Sequence, residues 1–237
     1  MTRLPFVAAI LVLATAVHAA PPQVPVTSCG QVVPAKTTGY LTADLDCTGY
    51  TGLPSGVDPF YAGAAVYLSD KASLDLRGFT LTGGLRGVSC QNPCGRNICH
   101  TKCTVFDGTV AGSGGDNDGI AGELLTVRNV DVSGFPRCIY SYGKSSLTDI
   151  VVHDCGVCVQ TGNTKTSGAQ IGPCDDLGIM NNNNHTAMRI VDSTIANTGG
   201  ASIYTDRLPR LKNTTCETSG APVSVHSSGT WNVCAND

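Results

Sequence analysis

Tyrosine, arginine and amide side chains recur at spacings that could form one outward-facing surface for sugars. If Ile139 points into a core, the alternation of a strand turns Tyr140 and Tyr142 outward. The predicted substrate-binding residues, taken from this strand and its later copies, are Arg137, Tyr140, Tyr142, Gln160 and Tyr204. Tyrosine rings stack on sugar rings, and arginine pairs with uronate carboxylates. The alternative is an ordinary outer surface with scattered tyrosines.

A second group of residues could carry acid/base chemistry. Asp131 and His153 fall on adjacent copies of another strand, two residues out of register. A carboxylate beside a histidine can act as an acid/base pair, but it is equally a surface ion pair that contributes little stability. Asp206 and Arg207 lie beside the predicted sugar surface. The catalytic residues are therefore undetermined, with these four as candidates, and no metal ligands are predicted.

A repeat must position these side chains. Six similar segments centre on a Gly, Asp or Asn that we take as the anchor of each copy, and the anchors are Gly78, Asp107, Asn129, Asp149, Asp192 and Asn213. Successive anchors differ by 29, 22, 20, 43 and 21 residues, and a period near 20 is typical of a solenoid. The two long intervals predict insertions at residues 89–103 and 161–186. The anchor residue types favour the left-handed backbone of a sharp bend.

Apolar columns beside the anchor predict the core. Two residues before it stand Leu76, Val105, Val127, Leu147, Ile190 and Leu211; three residues after it stand Leu81, Val110, Val132, Val152, Ile195 and Cys216. Several short strands in each period of about twenty residues must pair with their counterparts in the next coil. The sequence therefore predicts an all-β fold, a single-stranded right-handed parallel β-helix of about six to eight rungs.

The repeats resemble the right-handed parallel β-helix family, the pectate-lyase-like superfamily. The phrases that carry the resemblance are Leu41–Cys47 and Ser73–Gly83 together with the six-copy ladder, and the resemblance covers roughly residues 39–230. They look most similar to uncharacterised secreted bacterial members. The family includes lyases, hydrolases, epimerases and proteins without activity. The resemblance implies calcium as a cofactor if the chain is a lyase, and no cofactor is predicted otherwise.

The enzyme signatures of that family are incomplete in this chain. The segment Arg207–Lys212 resembles the lyase pattern Arg-x-Pro-x-x-Arg but ends in lysine. Of the polygalacturonase signatures, only the pair Asp175 and Asp176 is present, and it lies within the second insertion.

The N-terminal residues indicate export. Arg3 precedes an apolar stretch, residues 6–17, and Val17-His18-Ala19 matches a cleavage site, so residues 1–20 are predicted to be a signal peptide. The mature domain, 21–237, would comprise an N-terminal cap at 29–64 and rungs at 65–230. The predicted location is extracellular or periplasmic. No later stretch is long and apolar enough to span a membrane, and a net charge of −3 gives no signal for nucleic acid.

Twelve cysteines in an exported chain predict a disulfide framework. The predicted pairs are Cys29–Cys47, Cys90–Cys103, Cys94–Cys99, Cys138–Cys155, Cys158–Cys174 and Cys216–Cys234. A zinc site that combines the four cysteines of 90–103 with His100 is the alternative for that segment. Redox chemistry is the alternative for the motif formed by Cys155 and Cys158.

Two functions remain open from the sequence. The first is a secreted β-helix that binds extracellular polysaccharide without catalysis. The alternative is a polysaccharide lyase or glycoside hydrolase acting on an acidic polysaccharide, so whether the chain is an enzyme is undecided. An enzyme should bury a perturbed carboxylate or a basic group at the bottom of a groove, whereas a binding module should present a shallow aromatic surface.

Overall fold

A computed structural model describes residues 20–57, 59–90, 101–113, 117–181, 188–205 and 209–218. The predicted signal peptide, the cysteines Cys94 and Cys99, and the candidates Asp206 and Arg207 lie outside these residues. In the described part, nearly all regular structure is β-strand, with one short 3-10 helix at Pro59–Tyr61.

The strands follow one another along the whole described chain. In order they are β1 (Gln23–Val26), β2 (Gln31–Val33), β3 (Thr38–Leu41), β4 (Leu45–Cys47), β5 (Ala64–Leu68), β6 (Ser73–Asp75), β7 (Thr80–Gly83), β8 (Arg86–Cys90), β9 (Lys102–Ala111), β10 (Asp118–Gly122), β11 (Leu124–Ser133), β12 (Arg137–Thr148), β13 (Val151–His153), β14 (Cys155–Ser167), β15 (Gln170–Ile171), β16 (Cys174–Asn181), β17 (Arg189–Thr198), β18 (Ile203–Tyr204) and β19 (Arg210–Thr218).

Parallel pairing between successive turns arranges these strands into three sheets. Sheet A holds β1, β3, β6 and parts of β9, β11, β12, β14, β17 and β19. Sheet B holds β4, β7, β13, β15 and the ends of β9, β11, β17 and β19. Sheet C holds β2, β5, β8, β10, β16, β18 and the starts of β12 and β14. The result is an all-β parallel β-helix of about six turns with partial turns at its ends, which confirms the predicted fold class.

The core is a continuous stack of aliphatic side chains between the three sheets. The predicted columns are buried along most of their length; Val105, Val127 and Leu147, for example, have no exposed surface. One assignment was wrong, because Leu74 rather than Leu76 is in register with Val105. Leu76 is also buried, but it lies in the bend that follows the strand.

The anchors form a ladder of left-handed residues at the bend between sheets A and B. Register places Gly78, Asp107, Asn129, Asp149, Gly168, Asp192 and Asn213 one above another, and we call this column the turn ladder. Their φ angles lie between 48° and 79°, as predicted for Gly, Asp and Asn at a sharp bend. Amide-to-carboxylate hydrogen bonds join Asn129 to Asp107 at 3.1 Å and Asn213 to Asp192 at 2.8 Å.

One member of the turn ladder, Gly168, overturns the prediction of an insertion between turns at 161–186, because most of this segment forms a regular turn. The described part of that segment, 161–181, contains the end of β14 and all of β15 and β16. These strands pair with the turns on both sides. The extra turn escaped detection because the core position two residues before its anchor holds Thr166, a polar residue that is only 2% exposed, instead of an aliphatic one.

The predicted N-terminal cap at 29–64 also contains regular turns. Strands β2, β3 and β4 pair in register with β5, β6 and β7, so the stack begins before residue 65. Val57 and Tyr61, which lie between β4 and β5, pack against the start of sheet C. They pack with Tyr67, which is fully buried and whose hydroxyl donates to the carbonyl of Gly52 at 3.3 Å.

Three predicted disulfides are present: Cys29–Cys47, Cys138–Cys155 and Cys158–Cys174. The last two join three successive turns, and the pairing leaves no free thiol for redox chemistry at the Cys155–Cys158 motif. Cys216 is disulfide-bonded, and its predicted partner Cys234 lies outside the described residues.

The predicted bond between Cys90 and Cys103 is absent, although the two buried thiols are neighbours. Burial, followed by the contact with Cys103, raises the pKa of the Cys90 thiol. A thiol held in its protonated form is a poor nucleophile for disulfide formation. Both cysteines instead contribute to the core.

Candidate functional site

The outer surface of sheet C carries a compact cluster of two tyrosines and an arginine. The ring centroids of Tyr140 and Tyr142 are 4.5 Å apart with their planes tilted by 58°. The guanidinium carbon of Arg137 lies 4.2 Å from the centre of the Tyr140 ring, within range of a cation–π contact. We call Arg137, Tyr140 and Tyr142 the tyrosine–arginine cluster. The structure thus brings together three of the five predicted binding residues.

Strand geometry explains why these side chains meet. At the start of β12, Cys138 and Ile139 both enter the core with no exposed surface, which leaves Arg137 and Tyr140 outside on either side of them. Simple alternation then resumes, so Tyr142 lies on the same side as Tyr140. Tyr142 is 44% exposed, one of the two most exposed large apolar side chains in the described part of the chain.

A buried carboxylate holds the arginine in place. Asp118 is 1% exposed and stands between Arg86 and Arg137 in the register of sheet C. Arg86 Nε donates to Asp118 Oδ2 at 3.2 Å, and Arg137 Nε lies 2.7 Å from Asp118 Oδ1. The Oδ1 atom has no aligned hydrogen bond, so proximity to Arg137 compensates its charge. Because two arginines share one carboxylate, the group of Arg86, Asp118 and Arg137 carries one excess positive charge beside the tyrosines.

The environment also keeps Tyr142 neutral. Burial raises the pKa of its phenol, and the neighbouring Tyr140, Tyr61 and Asp118 raise that pKa further. The hydroxyl therefore stays protonated and can donate a hydrogen bond to an acceptor. With an exposed ring, a neutral hydroxyl and a guanidinium beside them, the cluster offers stacking, hydrogen bonding and charge pairing at one place.

Sequence reasoning missed Arg86 and Asp118 as parts of this site. The signal that could have found them is register, because Arg86, Asp118 and Arg137 each stand two residues before an inward aliphatic residue of the aligned strand: Val88, Ile120 and Ile139. The pattern of charges along that column is positive, negative, positive.

The remaining predicted binding residues are only partly available. Tyr140 is in register with Gln160, as expected, but the additional turn places Met180 between Gln160 and Tyr204. Tyr204 is only 8% exposed. It therefore cannot supply the open aromatic surface that the sequence suggested.

The predicted acid/base pair does meet on the outer surface of sheet B. His153 Nε2 lies 3.1 Å from Asp131 Oδ1, and His153 Nδ1 lies 2.6 Å from Asp154 Oδ2. Only the Nδ1 contact is a hydrogen bond; Asp131 Oδ1 is buried beside Nε2 without an aligned hydrogen bond. This arrangement gives the imidazole the role of a bridge between turns.

The described part of the chain contains no group of three or more His, Cys, Asp or Glu side chains placed to hold a metal ion. Within those same residues, no helix has the length and apolar character needed to cross a membrane.

Comparison with models of known protein families gives no match, and no curated protein sequence matches the chain. The site must therefore be interpreted from its own chemistry.

Proposed function

We propose that the protein is exported and binds a polysaccharide outside the cell through the tyrosine–arginine cluster, without catalysing its cleavage. The observation that carries the proposal is the fixed position of Arg137, held 2.7 Å from a buried carboxylate and stacked on Tyr140, next to the exposed ring of Tyr142. Three disulfides support export, because such bonds persist in oxidising compartments.

The cluster suits a sugar ring better than a purely apolar ligand. Tyr142 can stack on the apolar side of a ring, while its hydroxyl and the Arg137 guanidinium reach polar substituents at the rim. Because the parallel turns make sheet C rigid, these groups are pre-positioned and little conformational entropy is lost on binding.

The proposal is tested by titrating the full chain with a panel of neutral and uronate oligosaccharides in a calorimeter. We expect binding of at least one class, and we expect Tyr142→Ala to weaken it about tenfold, corresponding to roughly 1–1.5 kcal/mol of stacking. Tyr142→Phe keeps the ring and should retain most of the affinity. Tyr142 is partly exposed, so both variants should fold like the parent.

Two results would overturn the proposal. One is the absence of binding across the panel. The other is equal affinity of Tyr142→Ala and the parent for every ligand that binds. Release of reducing ends or of unsaturated uronate products during incubation would instead show that the protein cleaves its ligand.

A further inference from the structure

The outer surface of sheet A concentrates positive charge. Lys165, Arg189 and Arg210 occupy directly adjacent register positions on three consecutive strands, and all three are exposed. Neighbouring strands are about 4.8 Å apart, so the three cations form a row along the axis of the solenoid. Each stands three residues before a member of the turn ladder: Gly168, Asp192 and Asn213.

Four more cations extend the row into a surface. Lys102, Lys144, Arg128 and Lys212 occupy other outward positions of the same sheet and are also exposed. We call these seven residues the basic face. They are seven of the 15 lysines and arginines in a chain whose net charge is −3, so positive charge is localised here rather than spread over the protein.

The basic face lacks compensating carboxylates. None of its seven cations forms an ion pair with a described carboxylate. Elsewhere in the described chain, Lys71 pairs with Asp70, Arg77 with Asp75, and Arg86 and Arg137 with Asp118. Like charges directly opposite each other in a sheet are destabilising, so this row weakens the fold that carries it.

Two depressions run through the basic face. One, of about 310 Å³, is lined by Lys102, Leu124, Lys144, Asn163 and Lys165 among others. The next, also of about 310 Å³, shares Lys165 and Ser146 with the first and is lined further by Thr148, Ser167 and Arg189. Cations and hydroxyl groups line both, together with the aliphatic side chains of Leu124 and Val191, so charge pairing and hydrogen bonding are available to the same ligand.

We infer that the basic face binds an extended anionic polysaccharide, one that carries repeated carboxylate or sulfate groups, lying along the solenoid axis. The cations from Lys102 to Arg210 span five strand spacings, about 24 Å, which is too long for a single small anion to engage. A linear chain with regularly spaced charges matches a row with regularly spaced cations. This surface is on a different sheet from the tyrosine–arginine cluster, and the inference stands even if that cluster binds nothing.

Saccharide fits the surface better than single-stranded nucleic acid does. Binding of single strands relies on aromatic side chains on which bases stack. Each aromatic ring among the outward residues of described sheet A is covered by an arginine: Arg77 lies 3.7 Å from the centre of the Tyr40 ring, and Arg128 lies 4.5 Å from that of Phe106. An arginine already occupies a stacking position on each ring.

The test measures binding of labelled polygalacturonate and dextran sulfate to the full chain at low and high salt, with neutral dextran and a single-stranded oligonucleotide as comparison probes. We expect tight, salt-sensitive binding of the two anionic polysaccharides. Arg189→Gln/Arg210→Gln should lose at least tenfold in affinity. Arg189→Lys/Arg210→Lys, which keeps the charge, should lose much less.

Lys36→Gln/Arg77→Gln removes the same net charge away from the row and should bind like the parent. Equal losses in this control and in Arg189→Gln/Arg210→Gln would overturn the inference, as would no polyanion binding by the parent, or an oligonucleotide affinity matching that of the polysaccharides. Tyr142→Ala should leave polymer binding to the basic face intact. Loss of oligosaccharide binding in Tyr142→Ala tests the tyrosine–arginine cluster. Loss of polymer binding in Arg189→Gln/Arg210→Gln tests the basic face, so the two proposals can fail independently.

Discussion

Two columns of three charged residues, on different sheets, handle charge in opposite ways. In sheet C, Arg86, Asp118 and Arg137 alternate in sign, and the carboxylate is 1% exposed. In sheet A, Lys165, Arg189 and Arg210 have the same sign and all are exposed. Parallel turns repeat the same spacing in both places, so geometry alone does not decide which pattern a column adopts.

The turn ladder shows that this fold ordinarily separates like charges. Its order is Gly78, Asp107, Asn129, Asp149, Gly168, Asp192 and Asn213, and no aspartate stands directly next to another. In the turn ladder, each charged residue thus has neutral neighbours, and in the column of Arg86, Asp118 and Arg137 each has a neighbour of opposite charge. The row in sheet A departs from this pattern. This departure is the reason for inferring that the row binds a ligand and does not stabilise the fold.

The largest effect is expected where the alternating column is broken. Asp118→Ala leaves Arg86 and Arg137 without their shared carboxylate, and removing one partner of a buried ion pair typically costs roughly 3–5 kcal/mol. The free energy of unfolding, measured by urea denaturation, should fall by that order. Asp175→Ala removes an exposed carboxylate and should change it by less than about 1 kcal/mol. Similar losses for both variants would show that the column contributes no more than a surface pair.

A second test concerns the backbone of the turn ladder. Gly168→Ala and Gly78→Ala both place a side chain in the left-handed region, which costs roughly 1–2 kcal/mol. A Cβ at Gly168 would also collide with Asp149 Oδ1, whereas one at Gly78 would meet nothing within 4 Å. Thermal unfolding should therefore show Gly168→Ala to be the less stable of the two. Equal melting temperatures would mean that Asp149 moves away at no cost.

A third test puts like charges into the turn ladder. Asn129→Asp would stack three carboxylates, at 107, 129 and 149, and should destabilise the protein by roughly 0.2–1 kcal/mol at neutral pH. The loss should shrink with added salt, which screens the repulsion between exposed charges. Asn129→Gly tolerates the same backbone without adding charge and serves as the control. A destabilisation that is independent of salt would contradict the electrostatic explanation.

The smallest effect should be a gain. Arg189→Glu gives the row in sheet A the alternating pattern of sheet C, and it should stabilise the fold by a few tenths of a kcal/mol. The same variant should bind anionic polysaccharide more weakly than the parent. Denaturation and binding measurements on the same variant would show whether stability rises while affinity falls. If the variant is less stable than the parent, repulsion within the row does not destabilise the fold.

The sequence predicted the fold well because its strongest signals are local and periodic. The anchors and the aliphatic columns on either side of them recur in six turns. The turn around Gly168 was missed because its core position before the anchor holds Thr166 rather than an aliphatic residue, and only pairing with the adjacent strands reveals it. Three disulfides were predicted correctly because each joins cysteines separated by 16 to 18 residues, a little less than one repeat.

The candidate site was harder to predict because it depends on register between turns. Tyr140 and Tyr142 follow from alternation within one strand. The role of Asp118 depends on Arg86 and Arg137 being aligned with it, which is a relation between residues 32 and 19 positions away. The row of Lys165, Arg189 and Arg210 could be found only after Gly168 had been recognised as an anchor.

The two disulfides in the middle of the chain divide the solenoid into regions of different local stability. Each turn contacts only its neighbours, so such a protein opens progressively from its ends. Cys138–Cys155 and Cys158–Cys174 join three turns covalently and should halt opening from the C-terminal end before it reaches β16. Lys165 lies within the linked turns, whereas Arg189 and Arg210 lie beyond them. A polysaccharide bound across Lys165, Arg189 and Arg210 would connect the C-terminal turns to the disulfide-linked turns and oppose their opening. Amide hydrogen exchange in β17 and β19 would therefore slow when the polysaccharide is bound.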